Sequence, residues 1–295
     1  MNQQYMGKTL RLLYPQWQGG YDESEFPGQI YPLGARLLAW LAPASEAPLV
    51  EVPVEKWAGG NAPKEGGVFY RQEILRQMRA ARSIIDAHTP ERIITFGGDC
   101  LISQAPFAYL NERYGGKMGV LWIDAHPDVT TPDDFDHAHA MVLGNLLGRG
   151  EPLMAAEVRL PLKPEQVALV GVNNVLPHEQ NTIDRLGLTV MPGRDVMHDS
   201  TVVTAWMRER ELECVAVHLD LDVLDPSLFR SLLFANPAVE KHIEAERGKN
   251  RIQEIGRLLA DVAAQAHVVG MSFAEHMPWD ALNLQKMLSA LPFMR

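Results

Sequence analysis

The sequence predicts an α/β fold, a parallel sheet covered by helices on both faces. Three observations predict it. Short apolar runs alternate with longer amphipathic stretches along the chain. The core runs, Met118 to Ile123 and Val215 to Leu219, are near-continuous, as in strands buried on both faces. Three of the runs end in ligand-type side chains, and the carboxyl edge of an open parallel sheet is where such folds place their ligands.

The elements follow in order. Thr9 to Tyr14 is a first strand, broken by Pro15 to Gly20. Gly34 to Ala42 has helical spacing at Leu38 and Leu41 and stops at Pro43. Leu49 to Val54 is a short strand. Phe69 to His88 is a long amphipathic helix with Ile74, Met78, Ala81, Ile84 and Ile85 on one face. The strand Arg92 to Phe96 leads into Gly97-Gly98-Asp99-Cys100, and Ser103 to Tyr114 reads as helix. Gly115-Gly116 turns the chain into the strand before Asp124. Thr130 to His137 is a loop, His139 to Leu147 a helix, and Gly148 to Pro164 a surface excursion. Gln166 to Val172 is a core strand, His178 to Leu186 a helix, Leu188 to Met191 a strand and Thr201 to Glu211 a helix. After the strand at Val215, Pro226 to Asn250 shows no clean period and reads as a loop plus a helical piece. Arg251 to Ala266 is an amphipathic helix, His267 to Phe273 the last strand and Trp279 to Leu291 a closing helix. No repeat or linker divides the chain, so residues 1–295 are expected to form one domain.

Composition narrows the function. The 295 residues are 46% hydrophobic and 22% charged, which suits a packed core. A net charge of −10 argues against nucleic acid and against an anionic membrane surface, since no basic face is on offer. Two cysteines, Cys100 and Cys214, are no disulfide framework and suit a reducing compartment. The first eight residues lack a signal-peptide core, and no run nears the ~18 apolar residues of a membrane span. A cytoplasmic protein is expected.

The chemistry gathers at the strand ends. In Asp124-Ala125-His126-Pro127-Asp128 the ligand-type residues fall at every second position, so Asp124 and His126 leave the strand on one face. Asp220 and Asp222 repeat the pattern. Carboxylates and imidazole aimed at one point are stable chiefly around a divalent cation. Asp124 and Asp220 can each offer two oxygens and so bridge two ions. The oxygen-rich set favours Mn(II) or Mg(II) over zinc. Paired ions about 3.5–4 Å apart would hold and deprotonate a shared water.

In order along the chain, Gly97-Gly98-Asp99-Cys100, Asp124-Ala125-His126-Pro127-Asp128, His139-Ala140-Met141, Asp220-Leu221-Asp222-Val223-Leu224-Asp225-Pro226 and Glu275 with Pro278 and Asp280 resemble the signatures of the ureohydrolase family. That family holds the arginases, agmatinases, formiminoglutamases and guanidinobutyrases. The resemblance implies a three-layer αβα sandwich around a parallel sheet, two Mn(II) per chain, and hydrolysis of a guanidino or amidino C–N bond by a metal-bridging hydroxide. It implies a small guanidino or amidino substrate and a homo-oligomer, a trimer or hexamer. By position, Cys100, Asp124, His126, Asp128, Asp220 and Asp222 correspond to metal ligands. Asp128 would also orient the hydroxide, His139 would assist departure of the amine, and Glu275 would hold the substrate cation. Thr130, Asn173 and Asn174 correspond to substrate-binding positions. Asp225 reads as structural, His137 as a solvated loop residue, and His218 as a hydrogen-bonded core histidine or a partner to the ligands.

Three departures bear on the substrate and metal. Cys100 stands where the family usually has histidine. Thiolate is softer and must first lose a proton, so another divalent metal could be preferred there. A hydroxyarginine-hydrolysing branch resembles this chain in carrying cysteine at that position. Thr130 replaces a family asparagine, and Asn174 and Leu176 stand where arginases place carboxylates for an α-ammonium. Simple arginase activity is therefore not expected, and an Nω-hydroxy-arginine-type, guanidino or formimino substrate is. Ser227 to Asn250, with Phe229, Leu232, Leu233 and Phe234, replaces a Gly-rich loop. Two alternatives stand beside the hydrolase. One is a non-catalytic homologue acting as a binding or regulatory subunit. The other is a mononuclear zinc deacetylase-like hydrolase, against which the second Asp pair and the lack of a tandem His pair count.

Overall fold

Eight strands form one parallel sheet: β1 (Thr9–Tyr14), β2 (Leu49–Glu51), β5 (Arg92–Gly97), β6 (Gly119–Ile123), β7 (Val167–Val170), β8 (Thr189–Met191), β9 (Cys214–Asp220) and β10 (His267–Ala274). Their order across the sheet is β2-β1-β5-β10-β9-β6-β7-β8, and every pairing is parallel. This computed structural model describes residues 7–21, 26–173, 175–196, 198–236 and 247–294. A small antiparallel hairpin, β3 (Lys64–Glu65) and β4 (Val68–Phe69), stands apart.

The two sheet faces read directly from alternate residues. Val120, Trp122, Val167, Leu169 and Ala216 pack into one apolar cluster, while Leu121, Ile123, Ala168, Val170, Val215 and Val217 pack into the other. Helices α2 (Arg71–His88), α3 (Gln104–Arg113) and α4 (Val142–Leu146) contribute to the first. Helices α8 (Thr201–Glu209) and α9 (Ile252–Gln265) contribute to the second. Both faces of each central strand are thus dry, which explains the near-continuous apolar runs. The expected α/β sandwich is the observed one.

Element boundaries moved where local geometry overrode periodicity. Helix α2 starts at Arg71 because Tyr70 sits at φ +53°, and it ends at Thr89, φ +45°, whose N–H closes on the Ile85 carbonyl. Helix α1 (Ile30–Leu41) begins four residues before the predicted start. Pro32 is tolerated there because the first turn has no hydrogen-bond partner for its missing N–H. The buried face is Ile30, Tyr31, Gly34 and Ala35, whereas Leu41, which suggested the helix, is exposed.

Gly148 to Pro164 is not a mere surface excursion. It contains α5 (Pro152–Ala156), whose N-cap Glu151 is 1% exposed. The Glu151 carboxylate accepts from Met154 N–H at 2.8 Å, its own N–H donates to Asn145, and the Asn145 amide donates to Gln104. A buried polar knot thus ties α3, α4 and α5, and polar residues satisfied this way look like surface in sequence. Helices α6 (Pro177–Leu186), α7 (Gly193–Val196) and α10 (Trp279–Ala290) complete the set among the described residues. Between Pro226 and Asn250 a short 3-10 turn, Leu233–Ala235, is seen, and residues 237–246 lie outside the described residues. No helix among the described residues is long and apolar enough to cross a membrane.

Candidate metal centre

Strands β9 and β10, last in sequence, insert between β5 and β6. This insertion brings four chain-distant strand ends side by side. The register pairs Trp122 with His218 and Ala274 with Asp220, so the residues just beyond them share one rim. The Glu275 N–H donates to the Gly98 carbonyl at 2.8 Å and closes the rim between β10 and β5.

Six of the expected ligands converge there. Ligand atoms of Cys100, Asp124, Asp128 and His218 lie within 4.8 Å of one another; so do those of Cys100, Asp220 and Glu275, and those of Asp124, His126 and Asp222. Cys100, Asp124, Asp128, Asp220 and Asp222 are all buried. The Cys100 thiol donates to Asp220 Oδ2 at 2.9 Å and lies 3.7 Å from Glu275 Oε1. The His126 Nδ1 stands 3.0 Å from Asp222 and 3.5 Å from Asp124. Backbone N–H groups of Asp222 and His126 hold one oxygen each of Asp220 and Asp124, both at 2.7 Å.

The electrostatics are those of a site built around positive charge. Burial, then the charge of Asp222, pushes Asp124 up to about 7. Burial and neighbouring carboxylates also raise Asp128, Asp220 and Glu275 well above the carboxylate range. Burial and the charge of Asp220 push the Cys100 thiol up. Burial alone would lower His126, yet Asp222 and Asp124 hold it well above its usual value. A proton on His126 thus stands between two carboxylates as a cation would. Asp128 Oδ2, His126 Nε2 and His218 Nε2 are buried without a hydrogen-bond partner. Orphaned ligand atoms among acids that repel one another fit a divalent ion.

In the metal-free folded chain Asp124 keeps its proton to about pH 7, whereas an unfolded aspartate loses it near about pH 4. Between these values the folded state holds the extra proton, so raising the pH favours unfolding. Buried His139 works in the opposite sense below about pH 6.5, where only an unfolded histidine takes up a proton, so the melting temperature of chelator-treated protein should fall from about pH 6.5 to pH 8. Added Mn(II) should restore it more at pH 8, where no proton competes. A metal-free melting temperature that rises over this range would contradict the assignment of this cluster.

Other expected residues lie nearby with their polar atoms already committed. His139 Nδ1 sits 2.8 Å from the Gly19 carbonyl, and burial pushes the ring down to about 4. With that carbonyl taking an N–H from Nδ1, the neutral ring leaves its Nε2 lone pair for a proton. Thr130 donates its hydroxyl to the Ala140 carbonyl at 2.8 Å, fixing the turn that carries His139. The Asn173 amide donates to the Arg247 carbonyl at 3.2 Å. Asn174 lies outside the described residues. Asp225 accepts from the Ser227 N–H and ties its own loop.

His137 differs from expectation. Both its ring nitrogens are engaged, with Asp136 at 2.6 Å and the Tyr21 carbonyl at 2.7 Å, and Phe69 and Phe135 flank it. It is a clamp between two loops rather than a solvated residue.

Sequence reasoning missed several supports. Tyr31, from α1, donates to Glu275 Oε2 at 2.8 Å. The Trp122 indole donates to Asp124 Oδ2 at 3.1 Å. Asp99, fully buried, accepts from Gly19, Gly20 and Leu101 N–H, and burial pushes it up to about 6. It therefore fixes the Gly19 carbonyl that orients His139. Trp122 carried a sequence signal, being two residues before Asp124 on a strand, and Asp99 carried one as part of the Gly97-Gly98-Asp99-Cys100 motif. Phe234 places its ring 6.3 Å from that of His126, at the rim of the site.

Fold and centre together define an α/β protein with a buried, carboxylate-rich centre of the kind that holds divalent cations. A family model described as the arginase family matches residues 49–233, and the chain belongs to that family. An arginase of Bacillus caldovelox is 32% identical over 145 residues, 45% of this chain and 47% of that protein. The match therefore spans about half the length of that curated relative. The native structure of the Bacillus caldovelox arginase covers 92% of both chains, with a TM-score of 0.74 at 21% identity. The formimidoylglutamase of Bacillus subtilis covers 94% of this chain and 82% of its own, with a TM-score of 0.65 at 14% identity. These likenesses establish the fold.

Proposed function

We propose that the chain hydrolyses a C–N bond in a small guanidino, hydroxyguanidino or formimino compound with divalent metal at this centre. The convergence of Cys100, Asp124, His126, Asp128, Asp220 and Asp222 on one rim, with Glu275 beside it, carries the reading. Membership of the arginase family supports it, and the named relatives include an arginase and a formimidoylglutamase. Bound ions would supply Lewis acidity and a water acidic enough to attack carbon at neutral pH.

The chain's own groups have separable tasks. Glu275 presents a carboxylate to a planar cation, which offers several N–H donors and is best met by paired acceptors. His139, neutral at working pH, takes and returns a proton through Nε2 near the departing nitrogen. Thr130 holds the turn of His139 in place, and Asn173 lies on the loop whose sequence resembles a substrate-binding segment. Tyr31 keeps Glu275 aimed. Tyr31→Phe should raise KM for a cationic substrate about tenfold with kcat little changed, since the bond lost is to a charged group. An unchanged KM would remove Tyr31 from the site.

The test is metal content per chain after reloading with Mn(II), followed by a screen of guanidino and formimino compounds for urea, hydroxyurea or ammonia release. About two ions per chain with turnover of one class is the expected result. Metal binding without turnover of any compound would favour a binding or regulatory homologue. The trimer or hexamer implied by the resemblance is read by sedimentation of the same sample.

A further inference from the structure

Beside Glu275, which is assigned to the substrate, the centre holds one more ligand-type side chain that its expected ligand set does not use. His218 is fully buried on β9, two residues before Asp220 and on the same face. Its ring stacks on Trp122, centroids 3.7 Å apart and planes 10° apart. Its Nδ1 lies 2.7 Å from the Ser103 hydroxyl. Its Nε2 has no hydrogen-bond partner and points to the centre, 3.8 Å from Asp124 Oδ2. That nitrogen, the Cys100 sulfur and carboxylate oxygens of Asp124 and Asp128 all lie within 4.8 Å of one another.

We infer that His218 supplies the nitrogen ligand on the Cys100 side of the centre, completing a sulfur, nitrogen and two-carboxylate site that takes a zinc-class ion. The inference rests on the metal-hydrolase reading and concerns how that centre is built. A metal-ligating histidine characteristically has its other ring nitrogen fixed by a hydrogen bond, and Ser103 provides it. Trp122 fixes the ring plane. Ligand atoms around a four-coordinate ion with bonds of about 2.0–2.3 Å lie roughly 3.3–3.8 Å apart, which the His218–Asp124 separation meets. Thiolate with imidazole is the softer donor set, suited to zinc or cobalt. The His126, Asp124 and Asp222 cluster is richer in oxygen and suits manganese. Binding displaces the Cys100 thiol proton to solvent. The two positions would then differ in metal preference.

The test titrates the full, chelator-stripped chain with Co(II), followed optically. The first equivalent should produce a near-ultraviolet thiolate-to-cobalt band that Cys100→Ser removes. His218→Phe keeps a ring against Trp122 and removes the ligand; it should shift the band and weaken that equivalent at least tenfold. Zn(II) should displace this cobalt before Mn(II) does. The same band and affinity in His218→Phe would overturn the inference while leaving the hydrolase reading intact. No binding by the unaltered chain would overturn both. If His218→Phe does not fold, anomalous diffraction from the cobalt-loaded unaltered chain decides. A cobalt peak at bonding distance from His218 Nε2 supports the inference, and one more than about 3 Å away overturns it.

Discussion

Replacing Asp124 by asparagine is expected to weaken divalent-cation binding by more than a hundredfold and to abolish turnover. Asp124 contributes to two of the three ligand clusters at the rim. Loss of a mere outer partner of a ligand typically costs about 10–100-fold in affinity or activity, and loss of a ligand itself should exceed that. Asparagine keeps the shape but loses the charge and one of the two oxygens. The amide oxygen can take only one of the two N–H groups that Asp124 accepts, the Trp122 indole or the His126 backbone, and the amide nitrogen then faces the other donor. Because burial already favours the neutral form of Asp124, loss of the charge costs the metal-free variant little at neutral pH, and its melting temperature should fall by only the few degrees that one unsatisfied buried N–H costs. Calorimetric titration with Mn(II), a urea-release assay and a melt without metal check the three expectations. Retained tight binding would sink the assignment of Asp124. A collapsed melting temperature would make its role architectural.

Gly98→Ala should be the most damaging single-carbon addition at the site. A Cβ at Gly98 would stand 1.7 Å from the Gln16 carbonyl oxygen and 3.1 Å from the Gln16 nitrogen. Those atoms belong to backbone, so no side chain can swing away. The same stretch pairs Asp99 N–H with the Gln16 carbonyl and the Gly98 carbonyl with Glu275 N–H. Relief of the clash must part β5 from the loop after β1, moving Cys100 and Glu275 with it. Overpacking of a tight interior costs about 1–3 kcal/mol, occasionally more, and a backbone collision belongs at the top of that range. The melting temperature should fall by several degrees and metal affinity should drop even where the variant is fully folded. A variant with parental stability would show that β1 and β5 can separate freely, contrary to the packing described.

The sequence disclosed the strand ends better than what stands behind them. Asp124, His126, Asp220 and Asp222 were legible because a strand's two-residue period converts spacing into facing. The sheet order was not legible. That β9 and β10 slot between β5 and β6 is a property of long-range pairing, and it decides that Glu275 lies beside Cys100. Tyr31 illustrates the limit: it is 244 positions from the Glu275 it holds, and nothing near it hints at that partner. Leu41 misled because apolar spacing does not say which face of a helix is covered. Glu151 misled in the other direction, since the Asn145 that holds it lies outside the stretch read as surface. His137 resembled loop because its acceptor is a backbone carbonyl 116 positions away, which no side-chain pattern encodes.

Two of the carboxylates at the rim come from left-handed backbone, which glycine adopts freely and aspartate more readily than glutamate. Asp128 lies at φ +51° and Glu275 at φ +60°, the left-handed region where glycine is at ease and branched or long residues are not. Each position therefore sets stability against chemistry. Under selection for thermal resistance alone, drift should carry both toward glycine, first at Glu275, whose longer side chain gains least from the local turn. Glu275→Gly should lose activity without losing the fold. A lineage that kept both acids through such selection would be revealing a demand for the reaction itself, legible from its variants without any assay.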